Sequence, residues 1–344
     1  MKILVISPNN ADAPAFYRSV APFAELSRSH ADIQMTDGAN LDLHWGVLKP
    51  YDVVFLSRPC RQQDLQVAYM AKEWGIPLWV DYDDNVLDVN EDNPTSLFFS
   101  MQGVRDLIIK VLSLADVLTV STSELVGVYM DYCDNIKVIP NAWDDRALPI
   151  SQRPLEQTST ILYRGSNTHN IDVYEHTDEL IDNIVSSHGW DWVFLGFHPW
   201  WLSYEMKGQK KMVQYPSHEK TGLYYKDYVD IAHYFHIIKT LAPSLMIVPL
   251  SNTPFNKAKS NIAFIEGAYA GAATLAPEYL PEFDRPGVIR YKDAEDFGKK
   301  LNQIVRKKID LKQAADGSWE YVRENLSLTK INDKRVDILH QLVK

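Results

Sequence analysis

The chain is expected to be an α/β protein with two doubly wound, Rossmann-like halves facing each other across a cleft. Three observations carry that expectation. Short β-branched apolar runs alternate with helical stretches, the alternation occurs twice, and a proline-containing polar segment separates the two series. The 344 residues also exceed the roughly 100–200 of one ordinary domain.

In the first half the expected buried strands are Lys2–Ser7, Asp52–Ser57, Pro77–Val80, Asp116–Ser121 and Ile136–Pro140. Helical stretches lie between them, around Tyr17–Arg28, Asp64–Trp74, Met101–Leu114 and Ser123–Tyr132. Pro22 is expected to kink or shorten the first of these. From Asn141 to Ser159 the sequence turns polar and carries two prolines, as a linker does. The second half supplies strands at Thr160–Gly165, Trp192–Phe197, Leu245–Leu250, Ala272–Pro277 and Gly287–Tyr291. Before Ala242, helical spacing aligns Tyr228, Ile231, Phe235, Ile238 and Leu241 on one apolar face. The expected division is 1–150, 151–325 and a C-terminal helix over 326–344 that crosses back to the first half.

Composition narrows the function classes. With 46% apolar and 23% charged residues the chain reads as an ordinary soluble protein. A net charge of −10 gives no overall attraction to nucleic acid or to an anionic membrane. Cys60 and Cys133 are too few for a disulfide framework and lack metal-ligand spacing, so a reduced, cytoplasmic setting is expected. The apolar run in MKILVISPNN is too short for a signal peptide or a membrane span. Neither a G-x-S-x-G nor a P-loop sequence occurs.

The most informative stretch is PLSNTPFNKAKSNIAFIEGAYAGAATLAP, from Pro249 to Pro277. It reads as a strand end, a loop with Lys257, Lys259, Ser260 and Asn261 as candidate donor-binding residues, and a helix carrying Glu266. Two lysines and a hydroxyl at a helix start suit a diphosphate, and Glu266 suits ribose or sugar hydroxyls. The alternative is an ordinary βα connection with solvated lysines. A second loop, RGSNTH, presents Arg164, Gly165, Ser166, Thr168 and His169 at another strand end of the same sheet. Gly165 permits close backbone approach and Arg164 can pair with phosphate; the alternative is a polar loop capped by Ser166 or Asp172.

In the first half Asp81, Asp83 and Asp84 follow the strand PLWV, with Asp81 an acceptor-side candidate. Crowded carboxylates raise one another's pKa values unless a cation or hydroxyls intervene. Asp83 or Asp84 would orient an acceptor hydroxyl or act as base; the alternative is a helix cap. The scattered histidines have no zinc spacing. His198-Pro199-Trp200-Trp201 with the following KGQKK is either a stacking lip or a surface insertion packed by its own aromatics.

Val138-Ile139-Pro140-Asn141, preceded by ADVLTVSTSELVGVYM, resembles the end of the N-terminal domain in GT-B glycosyltransferases, of the retaining nucleotide-sugar type called family 4. RGSNTH and the Pro249–Pro277 stretch resemble that family's donor-binding loops, in the same order. The resemblance implies an acceptor-side first domain, a donor-binding second domain, and sugar transfer from a UDP- or GDP-sugar to a hydroxyl. No other cofactor and no metal is implied. By position, Arg164 and Lys259 would neutralise the diphosphate with Ser260 assisting, and Glu266 would match the second glutamate of E-x7-E. Ala258 stands where the first glutamate belongs. Arg18, in a first loop without the family's glycine-rich turn, would contact an anionic donor or acceptor group; the alternative is a surface arginine. Asp83 falls closest to a histidine that relatives carry near the transferred sugar.

A D-x-D metal site of the GT-A kind is set aside, because Arg164, Lys257 and Lys259 already suit the diphosphate. The acceptor stays open between saccharide, lipid-linked glycan, small metabolite and hydroxymethylated DNA base; for DNA, Arg58, Arg61 and Arg105 would line a local groove. A sugar-nucleotide epimerase or hydrolase, and a non-catalytic sugar-nucleotide-binding module, are the alternative functions.

Overall fold

The strands read as unbroken apolar runs because both faces of both sheets are buried. A computed structural model describes residues 1–9, 12–28, 32–37, 46–148 and 158–343, with 32–37 described as backbone. Residues 149–157 of the expected linker, and the expected boundary at 150, lie outside the described residues.

The first sheet has six parallel strands: β1 (Lys2–Ser7), β2 (Asp32–Asp37), β3 (Val53–Ser57), β4 (Leu78–Tyr82), β5 (Val117–Val120) and β6 (Ile136–Val138), in the order β2-β1-β3-β4-β5-β6. Alternate residues divide between two cores. Leu4, Val54, Leu56, Leu78 and Val80 face one side, and Ile3, Val5, Phe55, Trp79 and Val117 the other.

The second sheet has seven parallel strands: β7 (Thr160–Arg164), β8 (Asp191–Gly196), β9 (Val213–Gln214), β10 (Leu223–Asp227), β11 (Leu245–Ile247), β12 (Ala273–Pro277) and β13 (Val288–Tyr291). Their order is β13-β12-β11-β7-β8-β10-β9, again all parallel. The crossovers run outward on opposite sides of the neighbouring strands β7 and β11. Their carboxyl ends therefore flank a topological switch point, where open α/β sheets bind ligands.

Three elements depart from the sequence expectation. β2, β9 and β10 are additional strands, and β9 and β10 follow the stretch read as either a stacking lip or a surface insertion. Trp201 packs into the second unit's core while Trp200 stays 64% exposed. Tyr228 falls outside the helix Ile231–Leu241, which Asp230 caps by accepting from the Ala232 and His233 amides. At Pro22, expected to kink or shorten its helix, the helical run continues as Ala21–Leu26. The preceding turn Phe16–Val20 widens to π geometry, and the Ala21 amide bonds to the Phe16 carbonyl. A wide turn before Pro22 relieves the clash of its ring with the preceding carbonyls.

Two chain crossings join the halves. The chain leaves β6 through Ile139–Trp143 and returns between the helices Leu311–Asn325 and Leu328–Leu342. The crossings pair with each other: Trp143 N donates to Leu326 O at 2.7 Å, and Leu328 N donates to Trp143 O at 2.7 Å. Beyond that point Ile331, Ile338 and Leu339 of the last helix pack into the first sheet's core. Among the described residues, no helix is long and apolar enough to cross a membrane.

Candidate donor-binding site

The site begins with one carboxylate. The helix Ile262–Ala270 is apolar along most of its length and almost wholly buried, so Glu266 must find partners inside. Three groups meet it. Arg164 Nε, at the end of β7, lies 2.6 Å from Oε2 in a contact that has ion-pair rather than hydrogen-bond alignment. Tyr234 Oη donates to Oε2 at 2.7 Å. Tyr17 Oη reaches from the first half and donates to Oε1 at 2.8 Å. Burial, reinforced by Glu266, pushes both phenols well above their ordinary pKa. Burial alone would lower the Arg164 pKa, but attraction to Glu266 outweighs it and the guanidinium stays charged.

The loop after β7 is fixed from two directions. Gly196, at the end of β8, has φ +114°, and a Cβ there would overlap the Gly165 carbonyl oxygen. The Gly165 amide in turn donates to Leu195 O at 3.0 Å. The two strand ends touch backbone to backbone, which only glycine allows. Further on, Ser166 and Thr168 bond through their hydroxyls at 2.5 Å. His169 Nδ1 lies 2.8 Å from Asp172 Oδ2, while Asp172 Oδ1 accepts from Ser251 N at 3.0 Å and from Asn256 Nδ2 at 2.8 Å. Asp172 thereby locks the two strand-end loops together. Burial holds the His169 imidazole below its usual pKa, with Lys259 adding to the effect. Asp172 is pushed up by burial, yet its bonds to His169 and Ser251 bring it below the usual carboxylate range.

Lys259 completes the site. Its Nζ lies 2.6 Å from Asp84 Oδ2 of the first half and 4.1 Å from the centre of the Phe255 ring. Beside it, Asp83 Oδ1 is 3.2 Å from Arg58 Nε. Burial pushes the Asp83 carboxyl up, and Asp84 adds to this against the pull of Arg58. Arg58 itself has φ +50°, an uncommon backbone state for a residue with a side chain. Asp83, Asp84, Arg164, Lys259 and Glu266 all line one cavity of about 230 Å³ between the halves. His169 and Ser260 line it too. A second cavity of about 150 Å³ shares Arg164 and Glu266 and runs between Gly165, Gly196, Val229 and Ile231.

Several expected residues stand elsewhere. Arg18 and Asp81 are not acceptor-side groups in the cleft. Arg18 is 0% exposed and grips Asp81 through Nε (2.9 Å) and Nη2 (2.6 Å). Arg18 Nη1 donates to Ile139 O at 2.6 Å and to Asn141 Oδ1 at 3.1 Å, and Asn141 Nδ2 donates to Ser260 Oγ at 2.8 Å. The Val-Ile-Pro-Asn turn thus ties the first sheet to the start of the Glu266 helix. Lys257 is exposed and does not line the cavity, because it ends the short helix Pro254–Lys257 on the solvent side. Asn261 is buried and donates to Glu282 O at 3.2 Å. Arg61 pairs with Asp64, and Arg105 donates to Leu87 O, so with Arg58 on Asp83 the expected arginine groove consists of internally partnered guanidiniums. Ala258 packs into the first half's apolar core, and its carbonyl accepts from Thr122 Oγ1 at 3.0 Å.

Tyr17, Tyr234, Asn141 and Asp172 are the participants that sequence reasoning missed. The signal for Asp172 was its spacing of three from His169 on a short helix; Tyr17 had none, since its partner lies 249 positions away.

No protein-family model matches the chain, and no curated protein matches its sequence. Solved structures do match over its whole length. HepE of Anabaena, solved with UDP, aligns with TM-score 0.65 at 12% identity, covering 99% of this chain and 100% of that one. An alpha-glucosyltransferase, solved with UDP and a DNA 13-mer containing an HMU base, aligns with TM-score 0.68 at 9% identity over 100% of both chains. An alpha,alpha-trehalose-phosphate synthase from Burkholderia vietnamiensis aligns with TM-score 0.66 at 10% identity, also over 100% of both. The fold is GT-B. In a GT-B arrangement the cavity lies where the two Rossmann-like units face each other, and its charged groups come from both.

Proposed function

We propose that this protein is a glycosyltransferase that moves a sugar from a nucleotide-diphosphate donor to an acceptor hydroxyl. One observation carries the reading: Arg164, Lys259 and Glu266 converge on a single cavity at the strand ends of the second sheet's switch point. In this reading Glu266 takes the ribose hydroxyls, and the nucleobase enters the narrower cavity beside Gly196 and Ile231. Several structures with this fold were solved with UDP or UDP-glucose bound, which supports the same class of donor.

The charge pattern supports a mechanism by exchange of partners. Both cations are already ion-paired, Arg164 with Glu266 and Lys259 with Asp84. A diphosphate entering between them takes over both cations. Glu266 is then released for ribose and Asp84 for a hydroxyl. The anomeric carbon–oxygen bond breaks with its electron pair leaving on the diphosphate, whose growing charge Arg164 and Lys259 stabilise. The acceptor oxygen attacks from the same face, giving retention, and its proton passes to the departing phosphate oxygen. Asp83 or Asp84 orients that hydroxyl, and no divalent ion is needed where two fixed cations meet the diphosphate.

The test is thermal stabilisation by UDP-glucose and GDP-mannose, followed by product analysis with and without a panel of hydroxyl acceptors. A specific donor should raise Tm by mass action, and a glycosylated acceptor should form in the presence of EDTA. Free or epimerised sugar as the sole product would transfer the assignment to a hydrolase or epimerase. No stabilisation by any nucleotide sugar would end it.

A further inference from the structure

The cavity's charge balance restricts the sugar that the donor can carry. Among the described residues, Arg164 and Lys259 are the cationic side chains lining it; the third basic group there, His169, is held toward its neutral form by burial. Three carboxylates, Asp83, Asp84 and Glu266, line the same space. Before a donor enters, each carboxylate has one cation: Asp83 has Arg58, Asp84 has Lys259 and Glu266 has Arg164.

A nucleotide diphosphate ester brings two negative charges and takes Arg164 and Lys259. With Glu266 on the ribose, the transferred sugar then meets two carboxylates, Asp83 and Asp84, with Arg58 paired to Asp83. Its hydroxyls can donate to these acceptors, whereas a sugar carboxylate would add a third negative charge to a desolvated space. The position at which a glutamate would hold the sugar in the resembling family is Ala258, buried in the first unit's core, so Asp83 and Asp84 are the acidic groups that face this end of the cavity.

We infer that the site is selective for donors whose transferred sugar carries no carboxylate, and that Asp83 and Asp84 enforce this by repulsion. This inference rests on the nucleotide-sugar reading above. Calorimetric titration of the full chain with two matched pairs, UDP-glucose against UDP-glucuronate and GDP-mannose against GDP-mannuronate, separates the two ideas. Within the pair that binds, the acidic sugar is expected to bind at least ~30-fold more weakly, since like-charge contacts at a desolvated interface are strongly selective.

Asp83→Asn removes one carboxylate and frees Arg58, and is expected to narrow that gap at least ~10-fold. Asp84→Asn, which leaves Arg58 on Asp83, should narrow it less. Equal or tighter binding of the acidic sugar by the native chain overturns the inference, as does an unchanged gap in both variants that retain the native Tm. Failure of all four nucleotide sugars to bind overturns the nucleotide-sugar reading and this inference with it.

Discussion

Lys259 Nζ and Asp84 Oδ2 lie 2.6 Å apart across the cleft, joining the loop after β11 in one unit to the loop after β4 in the other. Four further polar contacts between the units land on the same short stretch. Asn90 donates to Thr253, Thr122 to Ala258, Asn141 to Ser260 and Tyr17 to Glu266. Whatever binds Lys259 therefore acts on the segment that holds the units together.

Lys259→Ala removes the cation that in our reading meets the leaving diphosphate. Turnover, measured as nucleotide diphosphate release with the best acceptor, is expected to fall at least ~100-fold, the scale of losing one preorganised charge-stabilising donor. Near-native turnover in that variant would remove Lys259 from the mechanism.

Glu266→Ala leaves Arg164 without its carboxylate and two phenols without an acceptor. Breaking a buried ion pair from one side costs about 3–5 kcal/mol. Arg164 keeps partial access to water, with 26% of its side chain exposed, so the lower end, about 3 kcal/mol, is expected in urea unfolding. Tyr17→Phe takes away one hydrogen bond to a charged group and should cost about 1.5–3 kcal/mol. Equal stability of the native chain and both variants would contradict these roles for Glu266 and Tyr17.

His169 makes stability depend on pH with a definite sign. Its folded-state pKa is depressed chiefly by burial, so in the window just below the ordinary imidazole value the unfolded chain binds the extra proton. Stability should therefore fall as pH drops through about 6.5, the unperturbed histidine value. Denaturant midpoints compared at several pH values should show a smaller decline over this window for His169→Gln than for the native chain. A decline as steep in the variant would assign it to other groups.

Gly196→Ala places a Cβ on the Gly165 carbonyl at φ +114°, so the loop carrying Arg164 must shift. A loss of at least about 1–3 kcal/mol is expected from the backbone state alone, together with weaker binding of UDP or GDP by calorimetry. A variant with native stability and native affinity would show that the close approach of these strand ends is dispensable.

Much of the fold was legible because parallel strands buried on both faces leave continuous apolar runs; PLWV and LMIVPL are examples. β9, two residues long, and β10, with Tyr-Tyr-Lys-Asp at its end, lack such runs and take their strand state from pairing with β8 and each other. At the site, the loops after β7 and β11 could be read from residue types alone. The pairing of Arg18 with Asp81 could not, since a guanidinium in a polar loop and a carboxylate after a strand look the same whether they face water or each other. Tyr17 was hidden for a similar reason: an aromatic at helical spacing reads as core, and only the closed arrangement of the two units brings its hydroxyl to Glu266.

The return of the last helix to the first sheet sets an order of assembly on the ribosome. Ile331, Ile338 and Leu339 cover the face formed by Ile3, Phe55 and Trp79, and they are synthesised after every strand of both sheets. The second unit can close its core while the first still exposes one apolar face to water or to a chaperone. The part of the protein made first is thus the part that finishes folding last.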